Sequence, residues 1–286
     1  MKKPTNPLDR FLSTLSLVSR IPVKLRFSPD HSRTDFYLPL TGIFPAFLGA
    51  LVFFLGFLYI RDRSVTVFLI LQFQYLGFNL FHLDGLMDTA DAFLAAGGRE
   101  KRAAILKDSR IGVYGFFAGI ACLAFKFILL YRLSVVVSQF PAFILAYPIT
   151  GRFAAALVPA ISRPFREDGL GFMVKDSKIV PAAAGTVLAA GIWAAMVFGL
   201  LYLYGTVSGS NLFSPFPGAG NCFPGVILSA LPVLGCVSAV LIAGLYRKKL
   251  GGYTGDALGA GVELGEILHL GAAWIVLRAW GFFLVG

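Results

Sequence analysis

Long apolar runs alternate with short polar segments along the whole chain. Seven runs stand out, at 38–60, 65–83, 113–130, 134–151, 179–204, 223–245 and 264–285. Three of them, 38–60, 179–204 and 223–245, contain no charged residue. A membrane-crossing helix needs about 20 apolar residues, and an open strand cannot satisfy its backbone in lipid. The pattern therefore predicts an all-α fold: a polytopic transmembrane helical bundle of about seven spans, with residues 1–286 forming a single integral membrane domain. Gly42, Pro45, Gly49, Pro141 and Pro148 lie inside these runs. Such residues are tolerated in membrane helices and can kink them.

Residues 1–37 precede the first span. Their apolar patches are short and interrupted by Arg10, Arg20 and Lys24, with no long apolar core or cleavage site, so they do not read as a signal peptide. Residues 8–19 suit either an amphipathic helix lying on the membrane surface or a plain cytosolic tail. Cys122, Cys222 and Cys236 are scattered and form no CxxC pair, which gives no sign of a zinc or redox centre.

The polar segments differ sharply in charge. Of 25 Lys and Arg residues, 20 fall in residues 1–37, 84–112, 152–178 and 246–263. The alternate loops carry only Arg61, Arg63 and Arg132, while Lys126 and Arg278 fall within spans and are expected to snorkel outward. This bias places the N-terminus in the cytoplasm. The net charge of +10 thus reads as a topology signal, and no nucleic-acid partner is expected. With 57% hydrophobic and 14% charged residues, the chain also lies outside the disordered class. Of 15 acids, only Asp62 falls on the outer side, and the outer loop 205–222 is nearly free of ionisable groups. A transporter needs polar paths to both faces. A one-sided distribution favours an enzyme whose site opens to the cytoplasm.

The richest polar segment runs from 78 to 115. Asp84, Asp88 and Asp91 are spaced by four and three residues, which puts three carboxylates on one helix face. Like charges held so close repel. A divalent cation would relieve that cost, and Mg²⁺ often uses a few carboxylates plus substrate phosphates. The alternative is a solvated acidic helix start. His82 could orient a carboxylate, touch substrate or be a plain interfacial residue. Lys107 and Arg110 are of the type that binds phosphate oxygens, and Asp108 could ligate metal or anchor Arg110. Arg152 is expected at the end of span four, with Arg163, Arg166, Glu167 and Asp168 in the loop that follows. Between spans six and seven lies GGYTGDALGAGVELGE, whose glycines allow close backbone approach. Asp256 and Glu263 are seven apart and share a face if helical, while Glu266 is expected to start span seven. They could form a second carboxylate wall, or a packed turn without chemistry.

Taken in order, LSLVSRIPV at 15–23, FYLPLTGIFPAFLGA at 36–50, HLDGLMDTADAF at 82–93, KDSRIGVYG at 107–115, SRPFREDGLG at 162–171 and GGYTGDALGAGVELGE at 251–266 closely resemble cobalamin synthase, the adenosylcobinamide-GDP ribazoletransferase family. The set spans nearly the whole chain. The resemblance implies a Mg²⁺-dependent enzyme of the cytoplasmic (inner) membrane, multi-pass, that joins adenosylcobinamide-GDP to alpha-ribazole or its 5′-phosphate. The products would be adenosylcobalamin or its 5′-phosphate, and GMP. Family members often carry LADTADG; here Met87 and Ala92 differ, but all three acids are kept, and Leu106 stands where a Met often precedes the lysine.

On this reading Asp84, Asp88 and Asp91 bind Mg²⁺, with Asp88 alternatively the general base. Lys107 and Arg110 hold the phosphates. His82, Asp108, Arg152, Arg163, Asp256 and Glu263 contact substrate or complete the site. The active-site segments are 84–112, 152–178 and 246–263. Two other classes fit the pattern less well. A membrane phosphotransferase of the CDP-alcohol type resembles DGxxAR…GxxxD…D, and the AR is missing after Asp84–Gly85. A cation-coupled transporter is disfavoured by the bare outer face and by the expected lack of an inward-placed acid within a span.

Overall fold

The structure is a computed structural model that describes residues 6–23, 28–136, 141–208 and 230–281. The described residues form helices α1 (Pro7–Val18), α2 (Thr34–Thr41), α3 (Ile43–Leu55), α4 (Arg63–Gln74), α5 (Leu80–Leu94), α6 (Arg99–Ile105) and α7 (Val113–Leu133). They continue with α8 (Pro141–Ile144), α9 (Tyr147–Ile161), α10 (Gly169–Met173), α11 (Ile179–Ser208), α12 (Leu234–Lys249) and α13 (Gly255–Ala279). Seven stretches are long and apolar enough to cross a membrane: 34–60, 63–94, 113–133, 142–161, 179–200, 231–249 and 255–279. The chain is a multi-pass membrane bundle, and the described residues form no sheet beyond one isolated bridge, Pro164 to Tyr253.

Local chemistry explains the starts of several helices. Asn6 Oδ1 accepts the Asp9 amide at 2.8 Å, and Asp9 returns the bond to the Asn6 amide at 3.4 Å, a capping box at the start of α1. The expected 8–19 segment is therefore helical. Asp62 caps α4 by accepting the Val65 amide at 2.9 Å. Serine and backbone donors hold its carboxyl below the ordinary range. The second span is interrupted once, by a π-helical turn at Tyr75–Asn79 that joins α4 to α5.

Several expected boundaries shift. The fourth span lies at 142–161 rather than 134–151, so Arg152 sits inside a helix and not at its end. The second span continues to Leu94 and carries the three aspartates within it, and the seventh begins at Gly255, placing Glu266 deep inside. The expected start of span six at 223 and the end of span seven at 285 fall outside the described residues, as does the outer loop from 209 onward. A hydropathy reading ends a span at the first charge. Arg152 and Glu266 do not end one because they are paired with each other inside the protein.

Lys126 shows the same effect. It does not snorkel but is fully buried, with Nζ 2.5 Å from Glu263 Oε2 and 2.6 Å from Glu266 Oε2. Arg152 Nη1 lies 3.3 Å from Glu266 Oε1. Two inward-placed acids thus do lie within a span, contrary to expectation. Two cations balance them, as a buried charge requires. Arg278 instead stacks its guanidinium 5.2 Å from the Trp274 ring centre.

The enclosed helix is α9, from Tyr147 to Pro159 buried at every position. Helices α12 and α13 pack on it, and α5 packs antiparallel on α13. Small residues let these backbones approach. A Cβ at Gly259 would lie 2.8 Å from the His82 carbonyl oxygen, and one at Gly85 would lie 2.9 Å from that of Asp256. Around Gly271 of the same helix there is open space. Gly259→Ala should therefore lower stability by about 1–3 kcal/mol, while Gly271→Ala should not lower it. Unfolding of both variants in detergent micelles checks this contrast.

Candidate active site

The close contact of Gly85 with Gly259 lets α5 and α13 approach at the polar end of the bundle. It brings Asp84 and Asp88 of α5 within electrostatic reach of Asp256 at the start of α13. Asp84 is exposed, while Asp88 and Asp256 are half-buried. Asp256 Oδ2 accepts a bond from Thr254 Oγ1 at 2.9 Å. Among the described residues, no hydrogen bond or ion pair engages the carboxylates of Asp84 and Asp88. Helix α12 steadies the same turn of α5: Tyr246 Oη and Thr89 Oγ1 are 2.6 Å apart, and the Phe93 ring meets that of Tyr246 edge-on at 4.6 Å.

Asp91 has a different duty from its two neighbours. Its carboxylate accepts the amides of Gly112 and Gly115, each at 2.8 Å. Those amides open α7, so Asp91 serves as an N-terminal cap supplied by another helix. Each of its oxygens accepts one backbone donor, and its charge also acts on Asp88. No group of three or more His, Cys, Asp or Glu side chains is gathered to hold a metal among the described residues. What the donor set does offer is two unpartnered carboxylates one helical turn apart, facing a third. That fits Mg²⁺ held by one or two carboxylates, with water and substrate phosphate completing its shell.

A cleft of about 260 Å³ adjoins Asp256. Its walls include Phe81, Leu106, Arg166, Asp168, Phe172 and Thr254. The loops around it are stitched together. The Phe165 amide donates to the Tyr253 carbonyl at 2.8 Å, and the Tyr253 amide donates to the Arg163 carbonyl at 3.0 Å. Tyr253 Oη donates to the Gly171 carbonyl at 2.9 Å, and burial pushes that phenol upward. Arg166 donates to the Ala103 carbonyl at 3.1 Å, which ties α6 to the same wall. The three segments expected at the site, 84–112, 152–178 and 246–263, thus do meet.

The individual expected residues divide. Asp84, Asp88 and Asp256 come together. Arg163 is exposed and turned to the Gly251 carbonyl at 3.2 Å, and Arg166 is the arginine that lines the cleft. Lys107 is exposed, and its neighbour Leu106 contributes to the cleft instead. Arg110 is exposed and forked onto Asp108, with Nε–Oδ1 at 2.9 Å and Nη2–Oδ2 at 2.5 Å. This pairing holds the Asp108 carboxyl at about 2. Asp108 thus anchors Arg110. Arg152 and Glu263 lie deep in the bundle with Lys126 and Glu266, away from the cleft. His82 is buried at 2% exposure, and neither ring nitrogen has a partner. Thr254 is a residue that residue type alone did not single out, and Arg166 stood out only as one of four charged residues in its loop. Thr254 lies two residues before Asp256 at a helix start, the spacing that would have shown it.

The different duties of the aspartates separate in stability. Asp91→Ala removes the cap of α7 and should cost about 1–2 kcal/mol. Asp88→Asn relieves repulsion and should leave the unfolding midpoint unchanged or raised. Thermal unfolding of the two purified variants in detergent distinguishes them.

The comparisons agree on a family. Residues 10–274 match the family described as CobS, cobalamin-5-phosphate synthase. A protein of Shewanella amazonensis named adenosylcobinamide-GDP ribazoletransferase is 33% identical over 96% of this chain and 96% of its own length. Proteins of the same name from Citrobacter koseri and Shigella boydii are 30% and 29% identical, each over 91% of this chain and 97% of their own length. No solved structure matches the chain. With a match of this extent, the chain belongs to the CobS, cobalamin-5-phosphate synthase, family and shares its general role in assembling the cobalamin nucleotide loop.

Proposed function

We propose that the protein is an adenosylcobinamide-GDP ribazoletransferase of the cytoplasmic membrane, with its site open to the cytoplasm. It transfers the adenosylcobinamide phosphate group to alpha-ribazole or its 5′-phosphate and releases GMP. A hydroxyl oxygen of the ribazole attacks the phosphorus that bears cobinamide. The bond from that phosphorus to the bridging oxygen of GMP breaks, and the hydroxyl proton passes to a base. The observation that carries the reading is the trio of Asp84, Asp88 and Asp256 beside the Arg166 cleft. The names of the relatives add to it, and the concentration of basic residues in the segments on one side supports the orientation.

Each group has a distinct task. Asp84 and Asp88, with Asp256 opposite, are the residues that would hold Mg²⁺. The ion would supply charge stabilisation at the phosphoryl oxygens and at the leaving phosphate. In the alternative to metal binding, half-buried Asp88 is the base that accepts the hydroxyl proton. Arg166 presents a planar fork to phosphate. Arg110, already oriented by Asp108, offers a second fork from the exposed loop. Phe81 and Phe172 give the cleft apolar walls for a ring system.

Purified protein in lipid, given adenosylcobinamide-GDP, alpha-ribazole and Mg²⁺, should form adenosylcobalamin and GMP, and a chelator should abolish this. Asp88→Asn should reduce turnover by at least about 100-fold. Native turnover in folded Asp88→Asn sinks that assignment. Arg166→Ala should raise KM for the nucleotide substrate about tenfold, as expected for one lost charged hydrogen bond. An unchanged KM removes Arg166 from phosphate binding.

A further inference from the structure

The buried polar cluster lies apart from the cleft, and the reaction above makes no use of it. Its centre is Lys126 of α7 between Glu263 and Glu266 of α13. Asn79 of the π turn donates from Nδ2 to both Glu266 oxygens, each at 3.1 Å. Tyr75, at the other end of that turn, donates from Oη to Glu263 Oε2 at 2.6 Å. Arg152 of α9 donates to Glu266 Oε1 at 3.3 Å and to Asn79 Oδ1 at 3.1 Å. Every one of these side chains is buried.

We infer that Tyr75, Asn79, Glu263 and Glu266, braced by Lys126 and Arg152, are positioning residues that set the axial register of α5 against α13. They thereby set the spacing of Asp84 and Asp88 from Asp256. The Gly85–Gly259 contact lets the two helices approach, but a glycine surface is smooth and does not resist sliding. The cluster supplies two rungs. Tyr75 meets Glu263, and Asn79 meets Glu266, so one end of the α5 segment is pinned to two successive turns of α13. Asn79 lies five residues before Asp84, or about 7.5 Å along the axis at 1.5 Å per residue. A slip by one helical turn would carry the aspartates about 5.4 Å from their present level. The π turn strengthens the point, because its extra residue re-aims everything after it. Both rungs arise from the two ends of that turn, so the bulge is held where its re-aiming is needed.

The inference rests on the proposed transfer only for its kinetic readout. The experiment uses full-length protein in detergent or lipid. Tyr75→Phe keeps the ring and removes one rung, while Asn79→Ala removes the other. Turnover should fall by about 100-fold for Asn79→Ala, the scale expected for a misplacement of about 1 Å, with Tyr75→Phe between it and the native protein. KM for the nucleotide substrate should stay within about threefold, since neither side chain touches the cleft. A second arm measures spacing directly. Spin labels at Leu94 and Ile275, both 62% exposed, are introduced with Cys222 and Cys236 replaced by Ser and buried Cys122 retained. The distance distribution should shift or broaden by about 1–2 Å or more in the variants. Folded variants with native turnover, or with an unchanged distance distribution, overturn the inference. If the native protein forms no product, the proposed reaction fails, and the label distances alone decide the inference.

Discussion

The pairing of Lys126 and Arg152 with Glu263 and Glu266 is the constraint on which the rest of the bundle depends. Four ionisable groups inside an apolar core are costly unless each meets its opposite. Removing a single partner of such a pair costs about 3–5 kcal/mol. The groups come from three helices, α7, α9 and α13, and Asn79 and Tyr75 add the π turn between α4 and α5. Satisfying the charges therefore forces these elements to converge at one level. Apolar packing could not do so alone, because lipid solvates an apolar helix face as well as protein does.

The polar end inherits its geometry from that convergence. Once α5 and α13 are aligned, Asp84, Asp88 and Asp256 must face one another, and mutual repulsion leaves a demand for positive charge. The stitched loops at 162–173 and 250–255 bring Arg166 to the same place. The bundle thus contains two polar centres of opposite character. The inner one is closed and balanced, with two cations against two carboxylates. The outer one is open and acid-rich, which suits a site that must bind charged ligands and then release them.

Much of this was legible in the residues. Runs of 20 apolar positions gave the number of spans, and the four-and-three spacing put Asp84 and Asp88 one turn apart on the helix where they lie. Spacing could not separate Asp91 from them, because its partners are backbone amides 21 and 24 residues away. Nor could hydropathy place Lys126, Arg152, Glu263 and Glu266. A charge near the edge of an apolar run looks like a boundary until its partner on another helix is known. Asn79 and Tyr75 drew no notice because a neutral polar side chain in an apolar run carries no pattern of its own. The segment from Asp256 to Glu263 is helical, the condition for their sharing a face, yet two turns of helix carry them to different centres.

Asp91 has a consequence beyond capping. It holds Gly112 directly against the end of α5, so the chain leaves the bundle after Leu94 and returns to almost the same point at α7. The intervening segment, which carries α6, Lys107 and Arg110, spans no distance. Its length is set by what it carries and not by any gap it must bridge. For a loop closed at its base, doubling the length costs only about 0.6 kcal/mol. Residues can thus be added to or lost from this segment with little effect on the spans beneath it, and the charged side chains it carries can vary while the membrane core stays the same.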